Sequence, residues 1–230
     1  MPPDQPHEAG RTFLRTGRGF LVGTDVEAPG YGLYSYLLFE APPATPGAEE
    51  LYAQAVIAYL EYLSPIAELE AQDPGQRQRL NVAYLPVTET PPARIGDPKL
   101  TDRGATAAAS RWILDHYNYA RAHVLLGNVR WTGGDGPVLI SSLQPLSATR
   151  GVQGARLQQD LSGLPAAFTR AWVREFFQEA AAPEDWDKTS LRRFALQVRT
   201  AAARSAELLP SVKDSVGYWI RFLASGTGPA

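Results

Sequence analysis

The segment LYSYLLFE, residues 33–40, constrains the fold of this chain more than any other stretch. Apolar or aromatic side chains occupy nearly every position, so both alternating faces of a strand formed here are apolar. A strand of this kind is typically buried on both faces in the middle of a sheet. Its sheet must therefore be packed by other elements, and the helical patterns elsewhere in the chain supply them. The segment predicts an α/β or α+β domain.

The remaining patterns occur in the order ββαβαβ, followed by a helical C-terminal region. Strands are predicted at 19–26, 33–40, 79–87 and 137–146, and helices from Pro46 (with Thr45 as N-cap), over 101–127, over 157–182 with a break at 163–165, and in two pieces between Lys188 and Ser225. The first two strands are close enough in sequence for an antiparallel hairpin, whereas the later β-α-β units predict parallel neighbours. The expected architecture is a small mixed sheet of about four strands, packed by helices and followed by a helical C-terminal extension.

One main domain is expected. The chain has 230 residues, of which 44% are hydrophobic, and this suffices for one buried core. Residues 1–12 are predicted to be a disordered lead-in, 13–155 the sheet domain, 156–225 C-terminal helices packed on that domain, and 226–230 a flexible tail. The tail helices carry an apolar stripe that must be covered, either by the chain's own domain, which we expect, or by another chain.

Composition excludes several classes of function. The net charge of −2 does not favour nucleic acid or an anionic membrane as partner. The chain has no cysteine, which rules out disulfides, thiolate metal sites and cysteine nucleophiles. No apolar run reaches the roughly 18 residues of a membrane span. The first residues lack the features of a signal peptide, so a cytoplasmic location is expected, with a trimmed extracytoplasmic domain as the alternative. No cofactor is predicted.

The tetrapeptide Gly133–Gly136, of sequence GGDG, raises the question of a phosphate or metal loop. A phosphate loop requires a helix directly after its glycines, because the helix supplies free N–H groups and a favourable dipole. A strand follows here instead, which favours a simple turn at the N-terminal edge of that strand. We therefore predict no phosphate site at this position.

A ligand site is predicted at the carboxyl ends of the strands. In open α/β sheets ligands bind outside these ends, and the loops leaving strands two, three and four are long and rich in polar residues and proline. If the strands are parallel, these loops meet at one edge, where an arginine facing hydroxyls or carboxylates suits a small anionic ligand or a peptide. The predicted contact residues are Glu40, Thr88, Glu89, Arg94, Gln144, Ser147, Thr149 and Arg150.

Two histidines are the remaining candidates for chemistry. His116 and His123 are seven residues apart on a predicted helix with aromatic neighbours, so they lie about 10 Å apart along its axis. A metal pair on a helix prefers a spacing of four residues, and we therefore predict that both histidines are packing residues and that no metal is bound.

These observations favour a non-catalytic ligand-binding or regulatory domain that uses the carboxyl-edge loops. The first alternative is a hydrolase-type enzyme whose acid/base pair comes from Asp25, Glu40, Glu89 and either His116 or His123. The second alternative is an interaction module that docks a protein partner on its C-terminal helices. Recognisable catalytic motifs are missing; Ser141 and Ser142, for example, lack the G-x-S-x-G turn that exposes a nucleophile. This is why binding is preferred over catalysis.

Overall fold

The protein is a mixed α/β structure built on one sheet. The computed structural model describes residues 14–96, 100, 102–149 and 156–181, and the backbone of 220–223. Its strands are β1 (Arg15–Val22), β2 (Leu33–Phe39), β3 (Ser64–Pro65), β4 (Leu80–Val87), β5 (Pro137–Ser142), β6 (Arg156–Asp160) and β7 (Ile220–Leu223). Its helices are α1 (Pro46–Tyr62), α2 (Ile66–Gln72), α3 (Ala93–Gly96), α4 (Arg103–Asp115), α5 (Tyr119–Asn128) and α6 (Ala166–Ala180). None of the described helices combines the length and the hydropathy that a membrane span requires.

The strand order in the sheet is β3-β1-β4-β2-β5-β6-β7. Strand β2 lies among the inner strands and all seven of its residues are buried, as its apolar faces predict. Strands β3, β1, β4 and β2 are mutually parallel, whereas β5, β6 and β7 each run antiparallel to the preceding strand in the sheet. The β2–α1–β4 connection therefore joins parallel neighbours, as expected.

The predicted hairpin between the first two strands is wrong. Strand β4 lies between β1 and β2 and is parallel to both. The connection after β1 must therefore return across the sheet before β2 begins. It is held there by side chains of the sheet: Tyr84 accepts a hydrogen bond from the Ala28 N–H (3.1 Å), and Tyr36 donates one to Glu27 (2.9 Å). These contacts make residues 23–32 a crossover rather than a tight turn.

The direction of β5 changes which loops share an edge. Strand β5 is antiparallel to β2, and Pro137 lies opposite Phe39. The start of β5 therefore lies beside the carboxyl end of β2, and the end of β5 lies at the other edge. Gly133–Gly136 consequently lies at the carboxyl edge of the parallel strands. The sequence predicts that Gly133–Gly136 lies at the opposite edge of the sheet. This prediction is wrong, because it requires β5 to be parallel to β2.

The helix predictions were correct for α1 and for α6, which begins directly after the predicted break at 163–165, and incomplete or wrong elsewhere. Helix α1 starts at Pro46, and Thr45 caps it by accepting from the Ala48 N–H (3.2 Å). The single helix predicted over 101–127 is two helices, because the chain turns after Asp115 and Asn118 caps α5. Residues 156–160 and 220–223 are strands, so helix predictions over both segments were wrong. The predicted helices between residues 188 and 219, the lead-in and the terminal tail lie outside the described residues.

The helices cover both faces of the sheet. Helices α1, α4 and α6 pack together on one face, where the ring of Tyr59 in α1 lies edge-on to Phe20 of β1. Helices α2 and α5 cover the other face, together with the crossover of residues 23–32; a Cβ on Gly17 would meet Ile66 of α2. Side chains alternate between these two layers along each strand. The cleft described next lies in the α1 and α6 layer.

Candidate functional site

A cleft of about 580 Å³ lies between the C-terminal ends of α1 and α6, beside the start of β1. Its size is within the usual range of small-molecule sites. The lining combines apolar and polar side chains from three parts of the chain. The lining residues are Leu14, Thr16, Tyr62, Leu63, Arg174, Phe177, Gln178, Glu179 and Ala181.

Direct bonds between elements hold the walls of this cleft in place. The Leu14 N–H donates to the carbonyl oxygen of Ala181 (2.7 Å), which ties the start of β1 to the end of α6. One turn before the cleft residue Arg174 in α6, the Arg170 side chain donates to Gln54 (2.5 Å) and forms a salt bridge with Glu61 (3.3 Å). Both partners belong to α1. The cleft therefore lies between helices that are clamped to one another and to the sheet.

The polar groups of the cleft include a cation with a defined orientation. The Arg174 guanidinium lies 5.6 Å from the centre of the Tyr62 ring, a favourable cation–π distance. Its Nε and Nη2 atoms also donate to Glu175, at 3.3 and 3.0 Å. Both contacts are partly exposed and contribute little to stability, and in the structure the guanidinium lies between the Tyr62 ring and the Glu175 carboxylate. The cleft thus presents an oriented positive group beside the buried apolar side chains of Leu63 and Phe177.

The carboxyl edge of the sheet carries a different arrangement, an acid paired with a histidine. Glu89 follows β4, and its Oε1 atom lies 3.1 Å from Nε2 of His116. The other ring nitrogen, Nδ1, lies 2.7 Å from the carbonyl oxygen of Trp112, on whose indole the His116 ring stacks with centroids 4.2 Å apart. Thr88 donates through its N–H and its hydroxyl to the His116 carbonyl, at 2.8 and 3.1 Å. These bonds join the loop after β4 to the end of α4.

This pairing brings together two members of the acid/base set that the sequence predicted. A general base needs a nitrogen that is free to accept a proton from a substrate. In this geometry each nitrogen of His116 already faces an acceptor oxygen. His123 is exposed on α5, a different helix, so the predictions that it is a packing residue and shares a helix with His116 were wrong. Among the described residues, no group of three potential ligands that could hold a metal ion is found.

The eight predicted contact residues do not meet at one place. Glu40, Thr88 and Glu89 follow the parallel strands at the carboxyl edge, with Arg94 in α3 shortly after them. Gln144 follows β5 at the opposite edge. Ser147 and Thr149 lie at a short 3₁₀ turn over the sheet, where the Ser147 N–H donates to Glu27 (3.1 Å) and the Thr149 hydroxyl to the Leu146 carbonyl (2.8 Å). Arg150 lies outside the described residues.

The GGDG segment is bonded within the protein. Its Gly134 N–H donates to the carboxylate of Asp160 (3.0 Å), and its Gly136 N–H donates to the hydroxyl of Ser162 (2.8 Å). The same Asp160 accepts from the Ser162 N–H (2.8 Å), so Asp160 at the end of β6 and Ser162 just after it together hold the glycines. A phosphate loop needs free backbone N–H groups, and two of the N–H groups in this segment already donate to side chains of the protein. These bonds favour the interpretation as a turn.

The Asp135 side chain within this turn is expected to be dispensable. Its backbone carbonyl accepts from the Tyr52 hydroxyl (2.6 Å), and the Asp135→Asn substitution leaves that carbonyl in place. We expect the free energy of unfolding to change by less than about 0.5 kcal/mol, as is usual for surface substitutions. Urea unfolding of the variant and the parent protein measures this. A loss of about 2 kcal/mol or more would show that the carboxylate itself organises the turn.

Comparison of the chain with protein-family models, with curated proteins and with solved structures found no match. Sequence reasoning missed the cleft because its lining comes from β1, α1 and α6, whose approach depends on the whole topology. No motif in the sequence links Thr16 to Tyr62 or Arg174.

Proposed function

We propose that the protein is a non-catalytic ligand-binding domain and that the cleft between α1 and α6 is its binding site. The observation that carries this proposal is the lining of the cleft. Buried apolar side chains stand beside a small number of polar groups, namely Thr16, Arg174, Gln178 and Glu179. This composition is typical of small-molecule sites, where apolar contact provides affinity and a few polar groups provide orientation. The proposal keeps the predicted class of function and moves its site away from the carboxyl edge.

A cleft-filling variant tests this proposal. Gln178 is exposed and lines the cleft, so Gln178→Trp should fill the cleft without disturbing the core. Ala167→Trp is the matched control, because Ala167 is exposed on the same helix and does not line the cleft. A library of small amphipathic compounds is screened by thermal denaturation against the parent protein and both variants. A ligand at about 100 times its Kd stabilises the native state by roughly 2.7 kcal/mol, which such a screen detects readily.

We expect compounds that stabilise the parent protein and the Ala167→Trp variant to leave the Gln178→Trp variant unchanged. Stabilisation that persists in the Gln178→Trp variant would place the ligand elsewhere. A screen in which no compound stabilises the parent protein would contradict the binding function.

The hydrolase alternative keeps one supporting observation, the 3.1 Å contact between Glu89 and His116. Glu89 is 62% exposed, so its carboxylate is free to move away and release Nε2 to a substrate. If this pair were catalytic, Glu89→Gln would abolish turnover of a hydrolysable substrate and leave its binding intact. The interaction-module alternative rests on helices outside the described residues and stays a prediction.

A further inference from the structure

A row of polar side chains crosses the sheet and ends in the cleft. Thr16 of β1, Asn81 of β4, Ser35 of β2 and Ser141 of β5 lie side by side on the face that α1 and α6 cover. Asn81 donates through Nδ2 to the Thr16 hydroxyl (3.2 Å), Ser35 donates to Asn81 Oδ1 (3.0 Å), and the two serine hydroxyls are 2.6 Å apart. Apart from Thr16, these residues are fully buried. The row connects the interior of the sheet to the cleft wall.

The bonds in this row all point in one direction. The Ser35 hydroxyl gives its only hydrogen to Asn81, so it must accept from Ser141 in the short contact between them. The Asn81 amide relays the same direction, because its Oδ1 accepts while its Nδ2 donates to Thr16. Thr16 is therefore an acceptor within the row, and its own hydroxyl hydrogen remains for a group in the cleft. Bonds in such a chain polarise one another, which makes the terminal O–H a better donor.

Two donors thus face the cleft from different elements. Thr16 supplies a polarised hydroxyl from β1, and Arg174 supplies a guanidinium from α6. Both favour an acceptor, and a charged acceptor forms the stronger bond. Glu179 is the acidic group in the same lining, and by itself it would favour an ammonium group. Leu63 and Phe177 provide the apolar surface against which the rest of a ligand can pack.

We propose that the cleft binds a monocarboxylate carried on an apolar chain or ring. The carboxylate accepts from Thr16 and pairs with Arg174, and the apolar part lies against Leu63 and Phe177. Asn81, Ser35 and Ser141 are positioning residues, which act on the ligand only through the direction of the Thr16 hydroxyl. This inference rests on the proposed binding function of the cleft.

Three probes of one chain length separate the inference from the function on which it rests. Octanoate, octanol and octylamine are titrated into the full chain by calorimetry. We expect octanoate to bind about tenfold tighter than either other probe, since a hydrogen bond to a charged acceptor is roughly twice as strong as one between neutral groups. Equal affinity for octanol, or tighter binding of octylamine, would overturn the carboxylate assignment and leave the cleft as a binding site. Binding of none of the three would count against both.

Single substitutions then test the ligand contacts and the positioning residues. Thr16→Val keeps the shape of the side chain and removes the hydroxyl, and Arg174→Gln removes the charge from an exposed position. Each should bring the affinity for octanoate close to that for octanol. Ser35→Ala, which does not touch the cleft, should reduce the preference for octanoate about threefold and leave octanol binding unchanged. Ser110→Ala is its control, because Ser110 is an equally buried serine bonded to the Ala53 carbonyl (3.2 Å) outside the row. An unchanged preference in Thr16→Val and Arg174→Gln would contradict the carboxylate site, and an unchanged preference in Ser35→Ala would contradict the positioning role of the row.

Discussion

Between about pH 10 and pH 11.5 the protein is expected to lose most of its stability and unfold cooperatively. The physical reason is a set of tyrosines that must stay neutral in the folded state. Burial raises the pKa of Tyr84 to about 12, and it raises the pKa of Tyr59 and Tyr117 well above the ordinary value of 10.0. Burial also raises the pKa of Tyr36, and the neighbouring carboxylate of Glu27 raises it further. Each of these hydroxyls serves in a native hydrogen bond.

The sign of the effect follows from the two states of each tyrosine. The unfolded chain releases these protons from about pH 10, whereas the folded chain retains them to higher pH. The unfolded state therefore binds fewer protons above about pH 10, and stability falls as the pH rises. At about pH 11 each such tyrosine costs roughly 1.4 kcal/mol, so four cost about 5–6 kcal/mol. This is comparable with the roughly 5–15 kcal/mol that stabilise a typical domain. Below about pH 10 the tyrosines are neutral in both states, and the protein keeps the stability that their burial provides.

Far-ultraviolet circular dichroism and tyrosinate absorbance, recorded together during a pH titration, measure this transition. The two signals should change together, because the buried tyrosines ionise only when the chain opens. Tyr84→Phe removes one buried group and should reduce the dependence of the unfolding free energy on pH by about 1 kcal/mol per pH unit between about pH 10 and 12. Tyr62→Phe is the control, since Tyr62 is 42% exposed. Gradual ionisation of all tyrosines without loss of helical signal would contradict the prediction.

The sequence predicted those parts of the fold that depend on local pattern. Strand β2 was predicted because both of its faces are apolar, and α1 because Thr45 and Pro46 mark its start. Strand β6 was missed because its sequence, RLQQD, has one apolar residue and buries two glutamines, Gln158 and Gln159. Glutamine has no preference for a buried strand, so only the pairing with β5 reveals it.

The error in the predicted site came from strand direction, which local pattern does not encode. Placing Glu89 and Gln144 at one edge required β4 and β5 to be parallel. Helices and turns separate these strands, so the chain was free to enter β5 from either edge. The antiparallel pairing of β5 with β2 determines that the end of β5, and with it Gln144, lies at the edge opposite Glu89. The same long-range pairing assembles the polar row of Thr16, Asn81 and the two serines, which no spacing in the sequence indicates.

The second large effect is expected at Gly32, the last residue of the crossover, directly before β2. A Cβ added there would overlap the backbone carbonyl oxygen of Gln78 and lie 3.1 Å from its carbonyl carbon. The Gly32 N–H also donates to the carbonyls of Arg77 (3.2 Å) and Leu80 (3.1 Å), so this glycine is clamped against the turn that precedes β4. Because the obstacle is backbone, relief requires a shift of β2 or of that turn, and the sheet holds both in place.

The Gly32→Ala substitution should therefore lower the free energy of unfolding by about 3 kcal/mol, at the upper end of the usual cost of overpacking. Gly47→Ala is the matched control, because Gly47 lies in the first turn of α1 and a Cβ added there would meet no heavy atom within 4 Å. Alanine is also the better helix former, so the stability of this variant should rise by up to about 1 kcal/mol. Urea midpoints of the two variants, with unchanged m-values, provide the comparison. If Gly32→Ala were as stable as the parent protein, the end of the crossover could not lie against the Gln78 carbonyl, and this close contact beside β4 would be contradicted.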